Sequence, residues 1–158
     1  DEFYNKLNKT LIYFSNLFDL KVIVAMHPSS NEKNASYLSN FEITKERSMD
    51  LIPESEIIVF SYSSLISNAV MFKKKIISIN SYTMGDFLNN LIEKYRKSLN
   101  LFSVNIDDPI NLNLSQANKK MDFAVNNYDN YIKKKINAAG KMSAKKQVVE
   151  NIKKNFFN

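Results

Sequence analysis

The feature that most constrains the fold is the strand–helix–strand pattern of Glu56–Ile79, "EIIVFSYSSLISNAVMFKKKIISI". The apolar runs at its two ends, "EIIVFS" (56–61) and "KIISIN" (75–80), are typical of strands buried on both faces, and the apolar spacing between them is typical of a short helix. Lys21–Met26 and "LFSVNI" (101–106) are apolar runs of the same kind, and helical patterns lie between them. Strands that alternate with helices predict an α/β domain with a parallel sheet flanked by helices.

The elements before this pattern follow from the same periodicities. Phe3–Leu17 has apolar residues at helical spacing, and Lys21–Met26 has the composition of a central parallel strand. "FEIT" (41–44) predicts a short strand. We expect Thr44 to open a weak helix, "KERSMDLI" (45–52), that Pro53 ends.

The remaining helices alternate with strands and then follow one another. They are predicted at Ser64–Phe72, Met84–Leu99, Gln116–Ala139 and Ser143–Phe156, with Pro109–Leu114 as a connection. A chain of 158 residues is long enough for one good core. We therefore predict a single domain over residues 1–158, with an α/β core at 1–108 and C-terminal helices at 109–158.

Composition excludes several kinds of site. Two glycines are too few for a G-x-G-x-x-G dinucleotide fingerprint or a P-loop. The absence of cysteine excludes disulfides and thiolate sites, and a single histidine with no compact carboxylate cluster predicts no metal site. The apolar runs are too short to span a bilayer. Because an amphipathic pattern follows directly after Asp1, we expect no signal peptide and a domain excised from a longer protein.

The net charge of +6 comes from lysines in pairs and triplets that gather toward the C-terminus. Such lysines form a solvated helix face, attract anionic ligands or a membrane surface, or contact nucleic acid. The chain contains no zinc-finger spacing, no ribonucleoprotein aromatic pattern and no GXXG loop, so we do not expect nucleic-acid binding. The first two interpretations remain open.

Polar clusters follow two of the predicted strands directly. His27-Pro28-Ser29-Ser30 follows the first, and Ser61-Tyr62-Ser63-Ser64 follows the strand of the central pattern. Ligands of open parallel sheets collect at the carboxyl ends of strands, and both clusters face one crevice if these strands are parallel neighbours. His27 is either a capping histidine or a donor to phosphate. Ser63 and Ser64 either only cap the next helix or also bind phosphate beside its N-terminus.

The order of these elements resembles the donor-binding half of a GT-B glycosyltransferase, a Rossmann-like α/β domain. The resemblance rests on "AMHPSS" (25–30), "FEITKERSMDLI" (41–52) and "FSYSSLISNAVMFKKKIISI" (60–79). Within that superfamily the chain is most similar to bacterial sialyltransferases and Kdo transferases of surface polysaccharide and lipooligosaccharide synthesis, whose His-Pro and Ser-Ser motifs bind the CMP part of the donor. The resemblance covers roughly residues 1–105.

The resemblance implies a donor site and a partner. The implied donor-phosphate and pocket residues are His27, Ser29, Ser30, Thr44, Ser63 and Ser64, with Asn68 where many such enzymes hold the donor ribose through a carboxylate. It implies a nucleotide sugar, possibly CMP-linked, as ligand, no cofactor, and an N-terminal acceptor-binding domain that this chain lacks. Without that domain we expect no catalysis, and we expect a cytoplasmic location, with contact to the inner membrane surface as an open possibility.

Two alternatives stay open. One is a non-catalytic interaction module with a basic helical tail. The other is half of a different sugar-nucleotide enzyme, such as an epimerase or a polyol-phosphate transferase, because one fold hosts many activities.

Overall fold

The computed structural model describes residues 2–26, 35–45 and 48–136. Its helices are α1 (Glu2–Phe18), α2 (Ser48–Leu51), α3 (Ile66–Met71), α4 (Gly85–Leu99) and α5 (Leu114–Tyr131). Its strands are β1 (Ile23–Ala25), β2 (Glu42–Thr44), β3 (Ile57–Phe60), β4 (Lys75–Asn80) and β5 (Phe102–Asn105). Short 3-10 turns at Ile52–Glu54 and Tyr82–Met84 precede β3 and α4, and a π-helical turn at Ile132–Ile136 follows α5.

All strand pairing in the described residues is parallel, in two sheets. β1 pairs with β2, with Val24 opposite Ile43. The second sheet has the order β3-β4-β5, with Val59 opposite Ile77 and Ile79 opposite Val104. Helix α3 connects β3 to β4, and α4 connects β4 to β5, as parallel neighbours require. The predicted α/β class, with a Rossmann-like parallel arrangement flanked by helices, is confirmed.

The three-stranded sheet is covered on both faces. Ile76 and Ile77, adjacent in β4, are both fully buried but belong to different apolar clusters, because successive side chains of a strand point to opposite faces. Ile76 packs in the cluster that includes Val70 of α3 and Leu99 of α4. Ile77 packs in the cluster that includes Phe14 of α1.

Helix α5 contributes to both clusters. Its first half places Ala117 and Met121 in the cluster around Ile77, and its second half places Ala124 and Tyr128 in the cluster around Ile76. Asn113 caps the helix, because its side-chain oxygen accepts hydrogen bonds from the N–H groups of the second and third residues that follow it, at 2.9 and 3.3 Å. The helix begins two residues before the predicted Gln116. The predicted helix Ser143–Phe156 lies outside the described residues.

The prediction that the first strand is central is wrong for the described residues. There β1 has one partner, β2, and its Ile23 is 44% exposed. An apolar run reports what a strand can bury, whereas its position in a sheet depends on which strands pair with it.

The structure also corrects two predicted helix starts. Thr44 does not open the helix but ends β2, where its carbonyl accepts the N–H of Met26 at 3.0 Å and extends the ladder. Helical structure begins at Ser48 and continues as a 3-10 turn through Pro53. The helix predicted from Ser64 begins at Ile66, because turn hydrogen bonds occupy the residues before it.

Candidate functional site

Ser63 and Ser64 lie just beyond the carboxyl end of β3, at the edge of the three-stranded sheet where α/β ligand sites form. Ser63 is half-buried, and its Oγ accepts the N–H of Leu65 at 3.2 Å. Its carbonyl accepts the N–H of Ile66 at 3.3 Å. Ser63 therefore holds the turn before α3 but does not cap the helix, because the N-cap residue is Leu65 and no side chain makes a cap hydrogen bond there. Ser64 is exposed.

The turn contact leaves Ser63 able to bind a ligand. A serine hydroxyl has one hydrogen and two acceptor lone pairs, and the N–H of Leu65 uses only one lone pair. The hydrogen of Ser63 and that of the exposed Ser64 are both suited to a phosphate oxygen. Helix α3 has only six residues, so hydroxyls and not a helix dipole are the relevant donors at this edge.

The other predicted residues are dispersed. Asn68 lies on α3 and donates its side-chain N–H to the sulfur of Met49 on α2, so its amide contacts a neighbouring helix. Thr44 ends β2 and therefore belongs to the other sheet. The strand before His27, β1, lies in that sheet too, so the strands before the two polar clusters are not the parallel neighbours that a shared crevice requires. His27, Ser29 and Ser30 lie outside the described residues.

A buried carboxylate organises the carboxyl ends of β4 and β5. Asp107 follows β5, and its side chain is 5% exposed. Its Oδ1 accepts a hydrogen bond from Lys6 Nζ at 2.7 Å, and its Oδ2 accepts from Ser81 Oγ at 2.7 Å and from the Tyr82 N–H at 2.6 Å. These four residues, named here the Asp107 network, join α1 to the ends of two neighbouring strands.

Charge and hydrogen bonding set the protonation of the network. The hydrogen bond from Lys6 holds the pKa of Asp107 below its usual range, with further lowering by Ser81 and Tyr82 and opposition from burial. The bond to Asp107 raises the pKa of Lys6, and a second contact to Glu2 adds to the effect. Asp107 is therefore ionised and acts as an acceptor over the neutral range.

The two aspartates at this edge hold Tyr82 at both ends. Asp107 binds its backbone N–H, and the exposed Asp108 accepts its phenol O–H at 3.1 and 3.3 Å through its two oxygens. The carboxylate of Asp108 raises the pKa of Tyr82, because it stabilises the protonated phenol. The Tyr82 side chain remains 69% exposed.

Helix α1 makes a second contact with the loop between β5 and α5. The hydroxyl of Tyr13 accepts the Leu112 N–H at 2.9 Å and donates to the Leu112 carbonyl at 3.2 Å. Lys6 and Tyr13 are seven residues apart, which places them two turns apart on one helix face. The loop is therefore fastened to α1 at both of its ends.

Sequence reasoning missed this arrangement although its signal was present. "NSY" (80–82) follows β4, and "NIDD" (105–108) spans the end of β5, just as the serine cluster follows β3. Lys6 was a further signal, since it is a cation beside the apolar residues of α1 that face the sheet.

Three buried side-chain atoms have no hydrogen-bond partner among the described residues: Ser78 Oγ, Asn89 Oδ1 and Tyr128 OH. Asn89 lies beside the Asp107 network, where its Nδ2 donates to the Ser81 carbonyl at 2.9 Å. Tyr128 lies in the apolar cluster around Ile76, where burial raises its pKa.

A groove of about 230 Å³ lies between the end of α1 and the starts of β1 and β2. Its lining residues are Ile12, Ser15, Asn16, Lys21, Val22, Asn40, Phe41 and Glu42. Lys21 and Glu42 form an ion pair within it. The groove lies at the amino ends of these strands, and neither Ser63 nor Ser64 is among its lining residues.

Neither a metal-binding cluster nor a membrane-spanning helix is present in the described part of the chain, residues 2–26, 35–45 and 48–136. No group of three histidine, cysteine or acidic side chains there could hold a metal ion. No helix within the same residues has the length and apolarity needed to cross a membrane.

Comparisons with known proteins identify no relative, since no family model, no curated protein and no solved structure matches the chain.

Proposed function

We propose that this chain is the donor-binding domain of a glycosyltransferase and binds the phosphate of a nucleotide sugar at the carboxyl edge of β3. The observation that carries the proposal is the position of Ser63 and Ser64 beyond the end of a parallel strand, with one hydroxyl exposed and the other half-buried. The order of motifs that resembles the GT-B donor domain supports the same assignment.

The chemistry proposed for this edge is anion binding by hydroxyls. Ser63 accepts the Leu65 N–H and donates its own hydrogen to a phosphate oxygen, while Ser64 donates a second hydrogen. His27 stays a candidate for a third donor through the resemblance alone, and in its charged form its hydrogen bond would be about twice as strong as a neutral one. In an intact transferase these donors stabilise the negative charge that develops on the leaving nucleotide phosphate.

The contacts of the remaining predicted residues make some of them better candidates for ligand binding than others. Asn68 is a weaker candidate for a ribose contact than its sequence position suggested, because its amide N–H is directed to Met49. Thr44 stays a candidate for a contact at the neighbouring strand end, and Ser29 and Ser30 stay candidates through the resemblance. In this proposal a partner domain binds the acceptor and supplies the catalytic base.

Thermal unfolding with millimolar CMP, CDP, UMP or UDP tests the proposal. A ligand at a hundred times its Kd adds about 2.7 kcal/mol to the free energy of unfolding. We expect one nucleotide to raise the melting temperature, and we expect the shift to be lost in Ser63→Ala with Ser64→Ala and reduced in His27→Ala. Ser98→Ala is the matched control, because Ser98 is an exposed serine near the C-terminal end of α4 and not part of the serine cluster after β3.

The results separate the alternatives. A shift that survives the double serine substitution places the phosphate elsewhere and contradicts the proposed site. No shift with any nucleotide, together with salt-sensitive binding to anionic vesicles, indicates the non-catalytic basic module instead. A nucleotide can also raise the melting temperature while the chain, together with its partner domain, catalyses a reaction other than glycosyl transfer. That result indicates half of an epimerase or of a polyol-phosphate transferase.

A further inference from the structure

We propose that Tyr82 and Asp108 form a recognition site for the hydroxyl groups of a neutral sugar. The two side chains lie beyond the adjacent strands β4 and β5, on the edge where β3 carries Ser63 and Ser64. The inference rests on the proposed function in one respect, the expectation that a sugar is present at this edge.

The first argument is the chemistry of the pair. A carboxylate has two oxygens and about four lone-pair positions, and the phenol of Tyr82 occupies one direction on Asp108 at 3.1 to 3.3 Å. Asp108 is exposed, so its remaining lone pairs face solvent and can accept two neighbouring hydroxyl hydrogens. The Tyr82 ring supplies an adjoining flat apolar surface, which suits the C–H face of a sugar ring.

The second argument is that the pair is held in place before any ligand arrives. Asp107 fixes the backbone of Tyr82 through a 2.6 Å hydrogen bond, and Asp108 is fixed through its own backbone N–H, which bonds the Asn105 carbonyl at 3.3 Å. Tyr82 is thus anchored at its backbone and at its phenol while 69% of it remains exposed. Groups held in their binding geometry lose little freedom when a ligand binds.

The third argument concerns charge. Asp107 is neutralised by Lys6, whereas no ion pair of Asp108 is found among the described residues and its carboxylate accepts the phenol O–H of Tyr82. An unneutralised carboxylate accepts hydroxyl hydrogens and repels a ligand carboxylate. The pair therefore favours a neutral sugar over an acidic one such as a sialic acid, which would distinguish this chain from the sialyltransferases that its motifs resemble.

Ligand-observed saturation-transfer NMR on the full chain tests the proposal without a nucleotide. The probes are galactose and N-acetylglucosamine as neutral sugars and N-acetylneuraminate as the acidic one, each at millimolar concentration. We expect transfer to a neutral sugar, about tenfold weaker binding in Asp108→Ala, and little transfer to N-acetylneuraminate. Tyr82→Phe keeps the ring but releases Asp108, so its loss should be smaller than that of Tyr82→Ala.

Asp86→Ala is the matched control, because Asp86 is an exposed carboxylate in the first turn of α4. Equal binding by wild type and Asp108→Ala, absence of transfer to either neutral sugar, or preference for N-acetylneuraminate overturns the inference. Each of these results leaves a nucleotide-dependent thermal shift intact if only the sugar site is wrong. If saturation is transferred to a neutral sugar but no nucleotide raises the melting temperature, the proposed phosphate site is wrong and the sugar site stands.

Discussion

Two parts of one sheet edge differ in how their polar groups are used. Beyond β3, Ser64 is exposed and Ser63 uses one lone pair of its hydroxyl, for a turn. Beyond β4 and β5, the carboxylate of Asp107 is almost fully buried and accepts three hydrogen bonds. In our proposal the same position in the fold binds a ligand where exposed hydroxyls can still donate, and it forms a structural junction where a buried carboxylate accepts the neighbouring donors. Hydrogen-bond partners, and not position alone, distinguish the two.

The largest expected effect comes from removing the acceptor of the junction. In Asp107→Ala the Tyr82 N–H loses its acceptor, the Ser81 hydroxyl keeps only its contact with Thr83, and Lys6 keeps only the exposed Glu2 as a counter-ion. We expect the free energy of unfolding to fall by about 3 kcal/mol, measured by urea denaturation. Asp108→Ala removes an exposed carboxylate and should change it by less than about 0.5 kcal/mol. Equal losses in the two variants contradict the distinction between junction and exposed site.

The second contact between α1 and the loop should be weaker. Tyr13→Phe deletes the hydroxyl that both accepts from and donates to the Leu112 backbone, and it leaves a partly buried N–H without that partner. We expect a loss of about 1 to 2 kcal/mol in the same denaturation experiment. Tyr37→Phe is a control at a tyrosine that stacks on Tyr4 through its ring. A loss confined to the control shows that the hydroxyl of Tyr13 carries no stability.

As the pH falls, the Asp107 network should weaken while the turn held by Ser63 does not, because only the network depends on a carboxylate. The folded pKa of Asp107 is lowered, so its contribution is fully present above the ordinary carboxyl pKa of about 4 and disappears as pH falls through the lower folded value. We expect unfolding free energy to decrease over that interval in the wild type, and to decrease less in Asp107→Asn. Identical pH profiles for the two proteins exclude Asp107 as the responsible group. Glu93, whose pKa Arg96 lowers to about 2, contributes equally to both profiles and cancels.

The smallest effects on stability are expected in the serine cluster. Ser63→Ala removes one partly buried turn hydrogen bond, and about 0.5 to 1 kcal/mol should be lost. Ser64→Ala should leave stability unchanged but reduce any nucleotide-dependent shift. This pair of variants separates the turn contact from ligand binding, because only Ser63→Ala changes the stability of the protein without ligand. A stability loss in Ser64→Ala as large as that in Ser63→Ala shows that the exposed serine has a structural role.

Much of the fold followed from local pattern. The strand Ile57–Phe60, the strand Lys75–Asn80 and the helix Gly85–Leu99 lie within a residue or two of their predicted bounds, because strong apolar periodicity marks such elements. The start of α3 was less predictable. Serine satisfies a helix cap and a tight turn equally well, and the Leu65 N–H selected the turn.

The candidate site divides in the same way. The rule that ligands gather at carboxyl ends of strands led to Ser63 and Ser64, but it was applied only to β1 and β3. Asp107 escaped notice because its partners are remote in sequence, with Lys6 lying 101 residues away. No local window contains both charges, so only the folded chain shows that they meet.

By itself the sequence determined the α/β class, most element bounds and the clustering of hydroxyls after β3. These depend on periodicity and residue chemistry over a few neighbouring positions. The tertiary structure alone decided that β1 has one partner in the described residues, that Asn68 faces Met49, and that Asp107 is a buried junction while Asp108 is exposed. The physical reason is that the burial and pairing of a polar group depend on neighbours that are distant in sequence. Asp107 and Asp108 are adjacent in the chain, but their neighbours in the fold differ.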